Sequence, residues 1–162
     1  MTPRPVAVRP SEAADQSWID TVLREQWGEG PAVAHGTAFD ACALPALIAG
    51  EREGLATYVL DAGRAEAELV TLNALIPGKG VGTALIEALR KLLVRKGIAR
   101  LRVTTTNDNL RALGFYQKRG FRLIAVRPGA VAESRKLKPS IPLIGAGGIP
   151  LNDEIELMLD LS

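Results

Sequence analysis

The sequence predicts a mixed α/β (α+β) domain spanning residues 1–162, with strands first, then alternating strands and helices, and a closing strand. Three observations carry that expectation. Val81, Leu85, Ala88, Leu89, Leu92 and Leu93 recur at helical spacing. The aliphatic run Ala65–Leu75 leads straight into a glycine-rich turn. A length of 162 residues, 47% hydrophobic and 23% charged, suits one globular core.

Val6–Arg9 reads as a short strand ended by Pro10. Ser11–Asp15 supplies helix-start residues, and Trp18, Ile19, Val22 and Leu23 then recur at helical spacing to Gln26. Gly28, Gly30 and Pro31 break that helix, and 32–45 reads as a loop. Leu47–Ala49 and Leu55–Leu60 read as strands around a turn at Glu51–Gly54. Ala62–Arg64 reads as a hairpin turn into the long strand 65–75, where alternation sets Glu68, Val70 and Leu72 on one face. Beyond the turn Pro77–Gly82 lies the 81–93 helix, ended by Gly97. Leu101–Thr105 is a β-branched strand, Leu110–Lys118 a helix stopped by Gly120, and Phe121–Val126 a strand. Gly114 inside that second helix costs about 1 kcal/mol against Ala and suggests a close neighbour. Residues 127–153 read as irregular, and Glu154–Leu159 as a final strand.

Several classes are excluded. No apolar run approaches the ~20 residues of a membrane-spanning helix. The N-terminus lacks the apolar stretch of a secretory signal. One cysteine, Cys42, and one histidine, His35, exclude a disulfide framework and a cysteine-rich metal site, and a cytoplasmic location is expected. His35 reads as a loop histidine without a role, with lining of the acceptor site as the alternative, Cys42 as a small buried filler, and Trp18 and Trp27 as core or helix-edge packing rather than ligand stackers. Net charge is −6 over residues 1–76, +12 over 77–138 and −4 over 139–162. The middle segment reads either as solvated helix faces or as a field for phosphates. It carries no recognisable nucleic-acid-binding signature, so a nucleic-acid partner is not expected.

Gly78-Lys79-Gly80-Val81-Gly82 lies between a predicted strand and a predicted helix. Glycines there admit a ligand close to the backbone, and a helix start favours an anion. The spacing is neither that of a P-loop nor that of a dinucleotide fingerprint. By itself the turn reads equally as a tight connection without a ligand.

Residues 109–121 read Asn-Leu-Arg-Ala-Leu-Gly-Phe-Tyr-Gln-Lys-Arg-Gly-Phe. This N-x-x-A-x-x-F-Y-x-K-x-G-F pattern resembles the second cofactor motif of the GNAT-type N-acetyltransferase superfamily. That family's first motif, [QR]-x-x-G-x-[GA], falls on Pro77–Gly82. The resemblance covers residues 6–126 in element order and is strongest over 66–121. Lys136–Pro142, Gly148–Glu156 and Thr105–Asn109 look like a bacterial subgroup of unassigned substrate.

The resemblance implies a mostly antiparallel central sheet with flanking helices and a splayed parallel strand pair, 65–75 and 101–105. It implies acetyl-CoA as co-substrate, no metal, and a small-molecule or peptide amine as acceptor. The backbone of Gly78, Lys79, Gly80, Val81, Gly82 and Thr83 would hold the pyrophosphate, and the strand around Leu72 would lie beside the acetyl arm. Tyr116 would be the acid for the leaving thiolate and Glu68 the general base. Asn109 would contact the cofactor or cap its helix, a cap that Asn107 could equally supply. Pro77 departs from the family's Gln/Arg, with Lys79 offering compensating charge. Dimers are frequent in the family. A silent CoA-binding sensor is the alternative reading.

Overall fold

The computed structural model describes residues 5–161. Its chain runs β1 (Val8–Pro10), α1 (Gln16–Trp27), β2 (Ala32–Ala34), β3 (Thr37–Phe39), β4 (Ala46–Ala49), β5 (Gly54–Asp61) and β6 (Glu66–Ala74). It continues α2 (Val81–Arg95), β7 (Arg100–Thr106), α3 (Leu110–Lys118), β8 (Arg122–Arg127), α4 (Ala130–Leu137) and β9 (Glu154–Asp160). Seven strands form one sheet in the order β1-β4-β5-β6-β7-β9-β8. Every neighbouring pair is antiparallel except β6 with β7. The expected architecture is therefore present, with the last strand inserted between the two before it.

Two apolar layers hold the sheet. On one face, Leu85, Ile86, Leu89 and Leu93 of α2 pack with Ala67, Leu69, Leu101, Val103 and Leu157, joined by Tyr116 and Phe121. The other face is smaller: Ile19, Val22 and Leu23 of α1 cover Ile48 and Leu55. Beyond α1, that face is charged rather than apolar. Arg102 bridges Glu66 and Glu156 at 3.1 and 3.0 Å, and Arg127 holds Glu156 at 2.8 Å and Glu154 at 3.5 Å. The positive segment thus spends part of its charge on the acidic tail inside the fold.

Two regions differ from the sequence reading. Residues 32–39 form a hairpin whose two-residue turn, His35-Gly36, has φ of 42° and 76°. Positive φ at both central positions is the type I′ geometry that matches strand twist, and His is among the residues that tolerate it. Residues 130–137 form α4, whose Val131 and Ser134 are buried. Among the described residues no atom lies within 4 Å of where a Gly114 Cβ would stand, so the expected close neighbour is not a group of the protein.

Candidate active site

β6 and β7 pair only over Glu66–Leu69 and Arg100–Val103. Thr57 opposes Thr71 while Tyr58 opposes Leu69, so Val70 is an extra residue in β6. Such a bulge bends its strand, and here it stands where the parallel pair ends. It also corrects the predicted alternation. Leu72 packs against the α2-side core, whereas Glu66, one pleat before Glu68, meets the charged face. One inserted residue sends Glu68 and Leu72 to opposite faces, each beside a different cavity.

The first cavity, of 540 Å³, is bordered by Leu72–Pro77, Gly78, Gly80–Thr83, Asn109, Phe115, Tyr116 and Arg119. Gly80 caps α2 at φ 71°, and no side chain completes the cap. The first intrahelical bond runs from Ala84 N–H to the Gly80 carbonyl at 3.0 Å. The N–H groups of Val81, Gly82 and Thr83 precede it, so they are orphan donors at the positive end of the helix. The side is walled by Phe115, whose ring lies 3.1 Å from where a Gly82 Cβ would stand. Arg119 stacks 3.7 Å from that ring and donates to Thr83 Oγ1 at 2.6 and 2.9 Å. Lys79 borders a neighbouring cavity with Val6–Arg9, Glu51 and Glu53, which shares Gly78 and Gly80 with this groove.

Tyr116 is buried against Phe115 and Phe121. Burial pushes its phenol pKa up, so it stays protonated throughout the physiological range. Among the described residues its hydroxyl has no hydrogen-bond partner. Asn109 is the α3 cap, accepting from Ala112 N–H at 3.1 Å, and it borders both cavities. Asn107 serves elsewhere, accepting from the N–H groups of Asn152 and Asp153.

The second cavity, of 460 Å³, holds Glu68 among Trp27, Phe39, Thr104–Thr106, Asp108, Lys138, Ile141, Leu151 and Glu154. Glu68 Oε1 lies 2.6 Å from His35 Nε2. The His35 backbone N–H is held by both oxygens of Glu154, at 3.1 and 3.2 Å. Burial raises the Glu68 pKa, and the neighbouring His35 opposes that rise only in part. A desolvated carboxylate against an imidazole can accept a proton from a bound amine. His35 sits in the hairpin turn and pairs with Glu68, where the sequence favours a loop histidine without a role. The signal that could have found it is a glycine directly after it, between two short apolar stretches. Trp27, the last residue of α1, is 43% exposed, donates to Asn73 Oδ1 at 2.7 Å and borders this cavity from the helix edge. Cys42 is a free, half-buried thiol. Among the described residues no group of three or more His, Cys, Asp or Glu is placed to hold a metal ion. None of their helices is long and apolar enough to cross a membrane.

Residues 14–121 match the family model for the acetyltransferase (GNAT) family. The chain belongs to that family. It is 42% identical over 108 residues to the Bacillus subtilis protein YxbD, covering 67% of each chain. It is 42% identical over 106 residues to YdhI of the same organism, covering 65% of each. The GNAT fold extends across nearly the whole chain. An IAA acetyltransferase from Bacillus cereus superposes with a TM-score of 0.72 at 18% identity, over 96% of this chain and 99% of that one. A Bacillus subtilis acetyltransferase solved with CoA gives 0.70 at 19% identity, over 97% and 99%. An Elizabethkingia anophelis GNAT acetyltransferase with acetyl-CoA bound gives 0.69 at 19%, over 96% and 98%.

Proposed function

We propose that this GNAT acetyltransferase moves an acetyl group from acetyl-CoA to a primary amine of a small molecule or peptide, by direct attack and without an acyl-enzyme. The observation that carries this reading is the opening between β6 and β7 past Leu69 and Val103. It stands between an orphan N–H cradle and a carboxylate-bearing pocket, with Asn109 on the border of both. The cradle suits a phosphate-bearing ligand because its glycine, Gly80, has open space at the Cβ position and the helix end is positive.

Acetyl-CoA supplies the activated acetyl thioester. The N–H groups of Val81, Gly82 and Thr83 bind its pyrophosphate, and Gly78 lets the turn approach closely. The strand edge around Leu72, free of β7, orients the acyl arm. Glu68 Oε1, backed by His35 Nε2, takes the proton from the attacking amine. Tyr116 Oη holds its proton until the sulfur leaves, then donates it. Lys79, between Gly78 and Gly80 of the same turn, adds positive charge beside the pyrophosphate. Cys42 takes no part, since it borders neither of these two cavities. The same reading makes residues 1–162 one domain in the cytoplasm. It includes a homodimer through β8, an edge strand with Leu123, Ile124 and Val126 exposed.

Thermal denaturation with acetyl-CoA, followed by an amine-panel screen for released CoA thiol, tests the reading. Acetyl-CoA should raise the melting temperature, and Gly80→Asp, which sets a carboxylate at the cradle, should abolish the rise. Stabilisation without CoA release from any amine would identify a silent sensor. No stabilisation at millimolar acetyl-CoA would overturn the acetyltransferase reading.

A further inference from the structure

The Glu68 pocket contains one charge that transfer to a simple amine leaves without a task. Lys138 follows α4 and reaches the C-terminal end of α1, donating from Nζ to the Trp27 carbonyl at 2.7 Å. An ammonium has three donors, so two remain. None of the carboxylates bordering the same pocket pairs with it. Glu68 is engaged by His35. Glu154 is engaged by Arg127 and the His35 N–H. Asp108 is engaged by the Thr106 hydroxyl and the Ala146 N–H. Burial lowers the Lys138 pKa, and no opposing charge offsets it.

Resting on the acetyltransferase reading, we propose that the acceptor is a primary amine carrying one negative charge, an amino-acid-like zwitterion. Lys138 holds its carboxylate, and Glu68 with His35 receives its amine. Three carboxylates in the lining attract the cationic form of an amine. One unpaired lysine matches a monoanion, whereas a phosphate dianion would face those carboxylates with half its charge unmet. The volume of 460 Å³ suits a small molecule. Trp27, Phe39, Ile141 and Leu151 supply apolar wall for a side chain.

Lys138 also caps α1, so the experiment must separate recognition from structure. Free amino acids and their amides are compared as acceptors by release of CoA thiol from acetyl-CoA. The amide is the more readily deprotonated amine, so intrinsic reactivity runs against the predicted preference. The wild-type protein should favour the acid over its amide by roughly 10- to 100-fold in kcat/KM, the range of a charge-assisted hydrogen bond. Lys138→Gln keeps a donor for Trp27 but no charge, and should bring that ratio to about one. Lys138→Arg should retain the preference. Equal rates on acid and amide in the wild type, or a preference that survives Lys138→Gln, overturns the proposal and leaves acetyl transfer standing. A protein that acetyl-CoA stabilises but that acetylates neither series also overturns the proposal. If Lys138→Gln does not fold, the wild-type ratio alone decides. Loss of stabilisation by acetyl-CoA would instead count against the acetyltransferase reading itself.

Discussion

Glu68→Gln separates chemistry from structure most cleanly. The side chain is 13% exposed and its Oε1 stands 2.6 Å from His35 Nε2. Glutamine preserves the shape and an acceptor for His35 but cannot take a proton. A positioned base contributes roughly 10²–10⁴-fold in rate, or about 3–5 kcal/mol of barrier. The stability cost should be far smaller. A charge-assisted hydrogen bond becomes a neutral one, a loss of about 1 kcal/mol, and relief from burying a charge offsets part of it. At about 2–4 °C per kcal/mol for a chain of this size, the melting temperature should barely move.

The pH dependence has a defined sign. Burial raises the folded pKa of Glu68, so the acid limb of kcat/KM should lie above the ordinary glutamate value of about 4.3. The folded state also binds the proton more tightly than the unfolded one. The stability contribution is therefore present below the unfolded pKa and lost as pH rises through the folded pKa. Glu68→Gln should erase both the limb and that loss. Its rate relative to wild type should climb at high pH, where more of the amine is already neutral. The assay is CoA-thiol release on the amine found by the screen, followed across pH. A loss under about tenfold, or an unchanged acid limb, would refute the assignment of Glu68 as base.

Tyr116→Phe keeps the ring packing and removes a hydroxyl that has no hydrogen-bond partner among the described residues, so stability should hold while turnover falls about 10²–10⁴-fold. Stopped-assay kinetics with the chemical step limiting checks this, and near-normal turnover would remove Tyr116 from the chemistry. Gly54→Ala would drive a methyl onto Val81 Cγ1 and within 3.0 Å of the Asn73 carbonyl. Overpacking of this kind costs about 1–3 kcal/mol, so the melting temperature should fall by roughly 2–12 °C; an unchanged transition would show that α2 shifts freely on the sheet.

Local signals made much of this protein legible in its sequence. Helical spacing from Val81 to Leu93 fixes α2 because every turn repeats the same face, and the Gly80 cap follows from glycine's access to positive φ. The two cofactor-motif stretches are short, so their likeness to the GNAT family needs no knowledge of distant contacts. What tertiary structure decided is non-local. A bulge is a fact about pairing: Val70 is extra only because Thr57 and Tyr58 choose Thr71 and Leu69 as partners. Alternation read along one strand therefore sets Leu72 on the wrong face. The His35–Glu68 pair spans 33 positions and depends on a hairpin of two three-residue strands, too short for periodicity to reveal. α4 is a two-turn helix among glycines and prolines, stabilised by burial of Val131 and Ser134 more than by its own pattern. Lys138 reached the pocket the same way: its charge was plain in the sequence, but its place beside Trp27, 111 residues away, came only from the folding of the tail across α1.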